Sequence, residues 1–170
     1  MLKQRVITAL VLLLVLVPAL TYVNPAPFFL ISLVFITAAA WEWARLNGCS
    51  SNGAAMAGVV CLTLCGGFWA LGWVHQALPG VWLVAGAAWV LMGAAVLRGG
   101  VPAWAHYWRP LRLGLGLLAL CLTWLAIVQA RLVGINFLFS VLALVWTADI
   151  AAYFAGRAWG GRFTRSKLAV

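Results

Sequence analysis

The run GINFLFSVLALVWTADIAAYFAG, residues 134–156, decides how the rest of the chain is read. It holds one charged residue, Asp149, among aliphatic and aromatic side chains. Wound as a helix at 1.5 Å per residue, it is about 34 Å long, enough to cross a hydrocarbon layer about 30 Å thick. Five earlier runs repeat the pattern, at about 6–23, 27–46, 54–74, 81–97 and 113–130. Turn-forming residues separate them: Asn24-Pro25-Ala26-Pro27, Asn47 through Gly53, Leu78-Pro79-Gly80, and Arg98-Gly99-Gly100-Val101-Pro102. The expected fold is an all-α integral membrane protein, one multi-pass domain over residues 1–170 with about six transmembrane helices.

Composition leads to the same solvent. The 170 residues are 66% hydrophobic and 8% charged, with a mean hydropathy of +1.09. A water-soluble domain of this size has no way to hide so much apolar surface. Net charge is +9, from 11 Lys and Arg against Glu42 and Asp149. In a soluble chain that balance points to nucleic acid. Here the cations flank apolar runs, so membrane topology and anionic headgroups account for them, and no nucleic-acid partner is expected. A phosphorylated substrate at the cytoplasmic face is equally compatible.

The cations also set orientation. With a cytoplasmic N-terminus, the inner side receives Lys3, Arg5, Arg45, Arg98, Arg109, Arg112, Arg157, Arg162, Arg165 and Lys167, and the outer side Arg131 alone. Both termini are therefore expected in the cytoplasm. Lys3 and Arg5 before an apolar run also suit a cleaved signal. The length of that run, with Pro25 and Pro27 crowding the cleavage zone, favours a retained helix. Trp41, Trp43, Trp73, Trp82, Trp104, Trp108 and Trp159 fall near segment ends, while Trp69, Trp89, Trp124 and Trp146 lie deeper and are expected between helices. Cys49, Cys61, Cys65 and Cys121 show no zinc-type spacing and no matching His cluster. Cys61 and Cys65, one helical turn apart, are expected as small packing residues.

Asp149 is the candidate functional residue. A carboxylate at membrane depth costs a few kcal/mol unless it is used or satisfied there. On a helix, Asp149, Tyr153 and Arg157 share one face, spaced i, i+4, i+8. Asp149 sits in the inner half, roughly 11 Å of rise from Gly156, within reach of a hydrated pocket from the cytoplasm. One use is to hold a divalent cation, which commonly takes one or two carboxylates plus substrate phosphates. The alternative is a carboxylate satisfied by neighbouring Thr, Tyr or Arg side chains. Beyond it, Arg157, Arg162, Arg165 and Lys167, with Gly156, Gly160 and Gly161, suit either phosphate binding or a plain cytoplasmic anchor. Glu42 has Arg45 three residues on, so it is expected in an interfacial ion pair with a structural role.

Three stretches together resemble the bacterial phosphatidate cytidylyltransferases, or CDP-diacylglycerol synthases. They are Leu2-Lys3-Gln4-Arg5-Val6-Ile7-Thr8-Ala9-Leu10, then Ala40-Trp41-Glu42-Trp43-Ala44-Arg45-Leu46, and the run from Gly134 to Ala169. The last carries most of the specificity, with Trp146-Thr147-Ala148-Asp149, Ala152-Tyr153-Phe154-Ala155-Gly156-Arg157 and Lys167-Leu168-Ala169. The resemblance implies an inner-membrane enzyme that joins CTP to phosphatidate and releases pyrophosphate, with Mg²⁺ as cofactor. It implies Asp149 as the catalytic or metal-binding carboxylate, and Tyr153, Arg157 and Lys167 as lesser candidates for substrate phosphate. Members of that family continue past a Lys-Leu-Ala-Pro sequence into further Lys- and Asp-bearing motifs. This chain ends at Lys167-Leu168-Ala169-Val170, so the resemblance implies the N-terminal portion of such an enzyme. Other functions also fit the residues: a small transporter or channel with Asp149 on an ion pathway, or a non-catalytic membrane remnant. Association with further copies of the chain is open.

Overall fold

A computed structural model describes residue 11 and residues 14–163, with side chains described up to residue 99 and from 107 to 158. Residues 14–21 are helical and are the described part of α1; the rest of the expected 6–23 segment up to residue 13 lies outside the described residues, Val11 apart. Five longer helices follow: α2 (Ala26–Leu46), α3 (Ser51–Ala70), α4 (Pro79–His106), α5 (Arg109–Val133) and α6 (Ile135–Phe163). A 3-10 turn, Trp73–His75, links α3 to α4, and no strand occurs among the described residues. All five are long and apolar enough to cross a membrane. The protein is an all-α membrane protein.

Local chemistry sets the helix ends. Asn24 Oδ1 accepts from the Ala26 N–H at 2.9 Å, and Pro27 stands in the first turn of α2, where a missing N–H costs nothing. At its far end Gly48 takes φ +79° and its N–H returns to the Arg45 carbonyl at 2.9 Å, a glycine-stopped C-terminus. Ser50 then caps α3, its hydroxyl accepting from the Gly53 N–H. That cap starts α3 at Ser51 rather than 54. α3 stops at Ala70 rather than 74, because Gly72 turns left-handed at φ +74° and the chain tightens into the 3-10 turn. Gly134 alone joins α5 to α6, at φ +154° and ψ +153°, a region almost reserved for glycine.

One expected break is absent. Arg98-Gly99-Gly100-Val101-Pro102 does not form a loop; α4 runs through it to His106. Its membrane-crossing apolar part does close at Gly99. Glycine and proline lower helix propensity without forbidding a helix, and propensity is a weak prior that tertiary context overrides.

Two polar residues of α5 tie the ends of the neighbouring helices together. Gln129 donates from Nε2 to the carbonyls of Trp73 and Gln76, both at 2.9 Å, and accepts from Trp82 Nε1 at 3.1 Å. Arg131 donates from Nε to the Leu20 carbonyl at 2.9 Å and from Nη2 to the Tyr22 carbonyl at 2.8 Å. At the opposite end Arg109 reaches Cys49 Sγ at 3.4 Å. The ends of α1, α3 and α5 thus lie together with the start of α4, and consecutive helices from α1 to α5 alternate in direction.

The core is made by α2, α3 and α5. Trp124, Leu125, Val128 and Cys121 of α5 meet Phe29 and Ala40 of α2 and Cys61 and Cys65 of α3, all nearly or wholly buried. Trp124 Nε1 donates to the Phe29 carbonyl at 3.4 Å, and the Phe29 ring meets Trp69 edge-on at 5.6 Å. α6 joins this core through Leu138 and Leu142, near its start. No described residue of α4 is buried.

Two of the four deep tryptophans behave differently from expectation. Trp124 and Trp69 pack in the core, but Trp89 and Trp146 are more than half exposed. Lipid is as good a solvent for an indole ring as a helix interface, so depth along the chain does not determine facing.

Candidate functional site

Asp149 stands on α6, about 21 Å along the helix axis from Ile135 at 1.5 Å per residue. Tyr153 and Arg157 follow one and two turns later on the same unbroken helix, and all three are exposed. Thr147 does not satisfy the carboxylate: its hydroxyl donates to the Ala143 carbonyl at 2.7 Å. The Tyr153 ring lies edge-on to Phe154 at 5.4 Å. Among the described residues no hydrogen bond or ion pair ends on Asp149. Lys167 and Arg165, like Lys3 and Arg5, lie outside the described residues, and the side chain of Arg162 is not described.

The other carboxylate occupies a different setting. Glu42 borders a cavity of about 550 Å³ between α2, α4 and α5. Its wall is almost wholly apolar: Trp43, Trp89, Met92, Val96, Leu115 and Leu120 face it, with Gly93 and Gly116 supplying flat stretches of backbone. Among the described residues Glu42 is the single charged group in that lining, and Asp149 takes no part in it. The Trp43 ring rests directly against Gly116, where a Cβ would collide with the indole.

The expected Glu42–Arg45 ion pair is absent. Arg45 Nη1 donates to Ser51 Oγ at 3.2 Å, and the guanidinium lies over the Trp41 ring at 5.8 Å from its centroid. The α2–α3 turn brings Ser51 within reach, and stacking on an indole holds a guanidinium without desolvating a carboxylate. Sequence spacing located the partner on the helix; the turn supplied a better one. Glu42 is left facing the cavity, which the i, i+3 pattern concealed.

The donor set for a divalent cation is correspondingly small. The chain's two acids stand on separate helices, α2 and α6. A closed all-protein cage does not fit them. A magnesium ion shared between one carboxylate and substrate phosphates does, since that ion keeps most of its shell for water and phosphate oxygen.

Comparison with known proteins gives the family. The model of the cytidylyltransferase family matches residues 3–168. A curated relative, the phosphatidate cytidylyltransferase of Pseudomonas aeruginosa, is 38% identical over 168 residues, covering 95% of this chain and 60% of that protein. The chain thus spans about three-fifths of the length of the curated relative it matches. No solved structure matches.

Proposed function

We propose that this chain, which belongs to the cytidylyltransferase family, carries part of the site that transfers a cytidylyl group from CTP to phosphatidate in the membrane. The observation that carries this reading is the 38% identity to a phosphatidate cytidylyltransferase, sustained over nearly the whole chain. In the reaction a phosphate oxygen of the lipid attacks the α-phosphorus of CTP. A new P–O bond forms as the bond to the β-phosphate breaks, giving CDP-diacylglycerol and pyrophosphate. Positioning and neutralisation of spreading negative charge are then the whole of the catalytic task.

Asp149 is the residue proposed for that centre. With substrate phosphates it would hold Mg²⁺, whose contribution is to neutralise phosphate charge. Arg157, two turns along the same face, would orient a phosphate group with its planar fork, with Tyr153 between them and Lys167 further along the chain. The ten-to-one cation asymmetry supports an inner, plasma-membrane location with both termini cytoplasmic, the side on which CTP would be met.

The cavity between α2, α4 and α5 is proposed to take the apolar part of the lipid. It is apolar, of ligand size, and bounded by a helix with no buried residue among those described, so a lipid can enter from the bilayer without crossing water. Gly93 faces open space there. Gly93→Phe should raise KM for phosphatidate roughly tenfold, the scale of a misfit in an apolar pocket, and leave KM for CTP unchanged. Equal changes in both constants would remove the lipid from this cavity.

The activity itself is tested in membranes from cells expressing the gene, including any coding sequence that follows the codon for Val170. Phosphatidate should disappear, and CDP-diacylglycerol appear, in strict dependence on CTP. No CTP-dependent loss above vector membranes would refute the assignment.

A further inference from the structure

The core contains a group of side chains that phosphoryl transfer does not use. Cys61 and Cys65 lie one turn apart on α3, and Cys121 arrives from α5, 60 positions along the chain from Cys61. All three are free thiols with no exposed surface. Their sulfurs lie within 4.8 Å of one another, and Cys121 Sγ is 3.8 Å from Cys61 Sγ. By helix rise Cys121 is about 18 Å from either end of α5, and Cys61 about 15 Å into α3. The three sulfurs therefore converge near mid-depth of the bundle.

We propose that Cys61, Cys65 and Cys121 form a closed three-sulfur site for a soft, thiophilic cation of the Cu(I) type. Geometry is the first argument. A cation in the plane of three sulfurs, with metal–sulfur bonds of about 2.3 Å, sets those sulfurs about 4.0 Å apart. One pair already has nearly that separation, and the third sulfur needs only a small side-chain rotation. Ligand type is the second. Thiolates select soft cations, and no carboxylate or imidazole joins this group among the described residues. Zinc almost always takes a fourth ligand, which this closed site does not offer, whereas a soft monovalent ion is content with three sulfurs.

Energetics agree with a single positive charge. The surrounding core is Trp124, Leu125, Phe29 and Ala40, without a counter-ion among the described residues, so the site is cheapest when neutral, with one thiolate and two thiols around a monovalent cation. Binding displaces one thiol proton to solvent, and retention of the ion therefore rises with pH. With no sulfur exposed, the ion enters as α3 and α5 close on each other or during their opening. Cys49 sits apart in the α2–α3 turn beside Arg109 and is an internal control.

The test uses the full chain, purified in detergent under anaerobic, reducing conditions and loaded with Cu(I) alone, then desalted against a weak chelator. Wild type and Cys49→Ser should retain about one copper per chain. Cys61→Ser, Cys65→Ser and Cys121→Ser should each fall to background. No copper on the wild type, or equal copper on a Cys61→Ser/Cys65→Ser/Cys121→Ser triple variant, overturns the site and leaves three packing residues. Since a buried Ser can unfold the bundle, copper-edge X-ray absorption of loaded wild type gives an answer free of variants. Sulfur-only neighbours support the site, and nitrogen or oxygen neighbours overturn it.

Discussion

Asp149→Asn, expressed with any coding sequence that follows the codon for Val170, is expected to lower CTP-dependent turnover by about 100-fold or more, the usual scale for losing one electrostatic participant in a transition state. The substitution keeps shape and removes charge. Asp149 is exposed on α6 and bonded to nothing among the described residues, so no fold contact is lost with it. Membrane accumulation and thermal stability should not fall, because the substitution removes an unpaired carboxylate from membrane depth and no contact with it. The comparison is made at equal protein in membranes, with initial rates at saturating CTP and phosphatidate. Normal turnover in this variant would make Asp149 a structural carboxylate and take the metal proposal down with it.

The second large effect concerns stability. Arg131→Met should destabilise the bundle by about 2–4 kcal/mol, since it removes two hydrogen bonds from a charged donor and orphans the carbonyls they satisfied. Those carbonyls, of Leu20 and Tyr22, belong to the end of α1 and the turn after it, where a helix has no partners of its own. Arg131 is itself 8% exposed, so water does not replace it. Arg131→Lys should recover only part of the loss, because one ammonium does not match a planar fork aimed at two carbonyls. Thermal unfolding in a single detergent, followed by α1 proteolysis, measures this. If the Arg131→Met protein melts with wild type, the two bonds contribute nothing.

The fate of Arg131 also refines the topology. In the sequence it is the one cation assigned to the outer side. In the fold it is a buried cap, so it does not anchor that face to headgroups. Every exposed Lys or Arg among the described residues then belongs to the other side, a sharper asymmetry than the bare sequence presents.

How much was legible follows from which properties are one-dimensional. Lipid demands length and apolarity of each segment, and both are written along the chain. α2, α5 and α6 accordingly fall within a few residues of their expected starts. Helix stops are harder, because their penalties depend on the surroundings. Gly99, Gly100 and Pro102 break helices in water, yet α4 passes through them. Facing is harder still. Trp124 and Trp146 look alike in the sequence, but one is core and the other exposed. Contacts across the bundle were not legible at all: nothing near Cys61 announces Cys121, and nothing near Glu42 announces the cavity wall on α4. Asp149 stood out because a lone charge in an apolar run is a local anomaly. Its neighbours in space are a matter of packing, which no single run of residues states.

The arrangement of α4 outside a core built from α2, α3 and α5 has a consequence for biosynthesis. The α2–α3 hairpin is complete once Ala70 has been made, but the helix that covers it ends at Val133. At about 5–20 residues per second, the ribosome needs roughly 3–13 s to supply the intervening stretch. Through that interval the faces carrying Phe29, Cys61 and Cys65 must be covered by lipid or by the insertion machinery, while α4 passes into the bilayer beside them. The fold is thus delivered out of order, its central strut arriving after a peripheral helix.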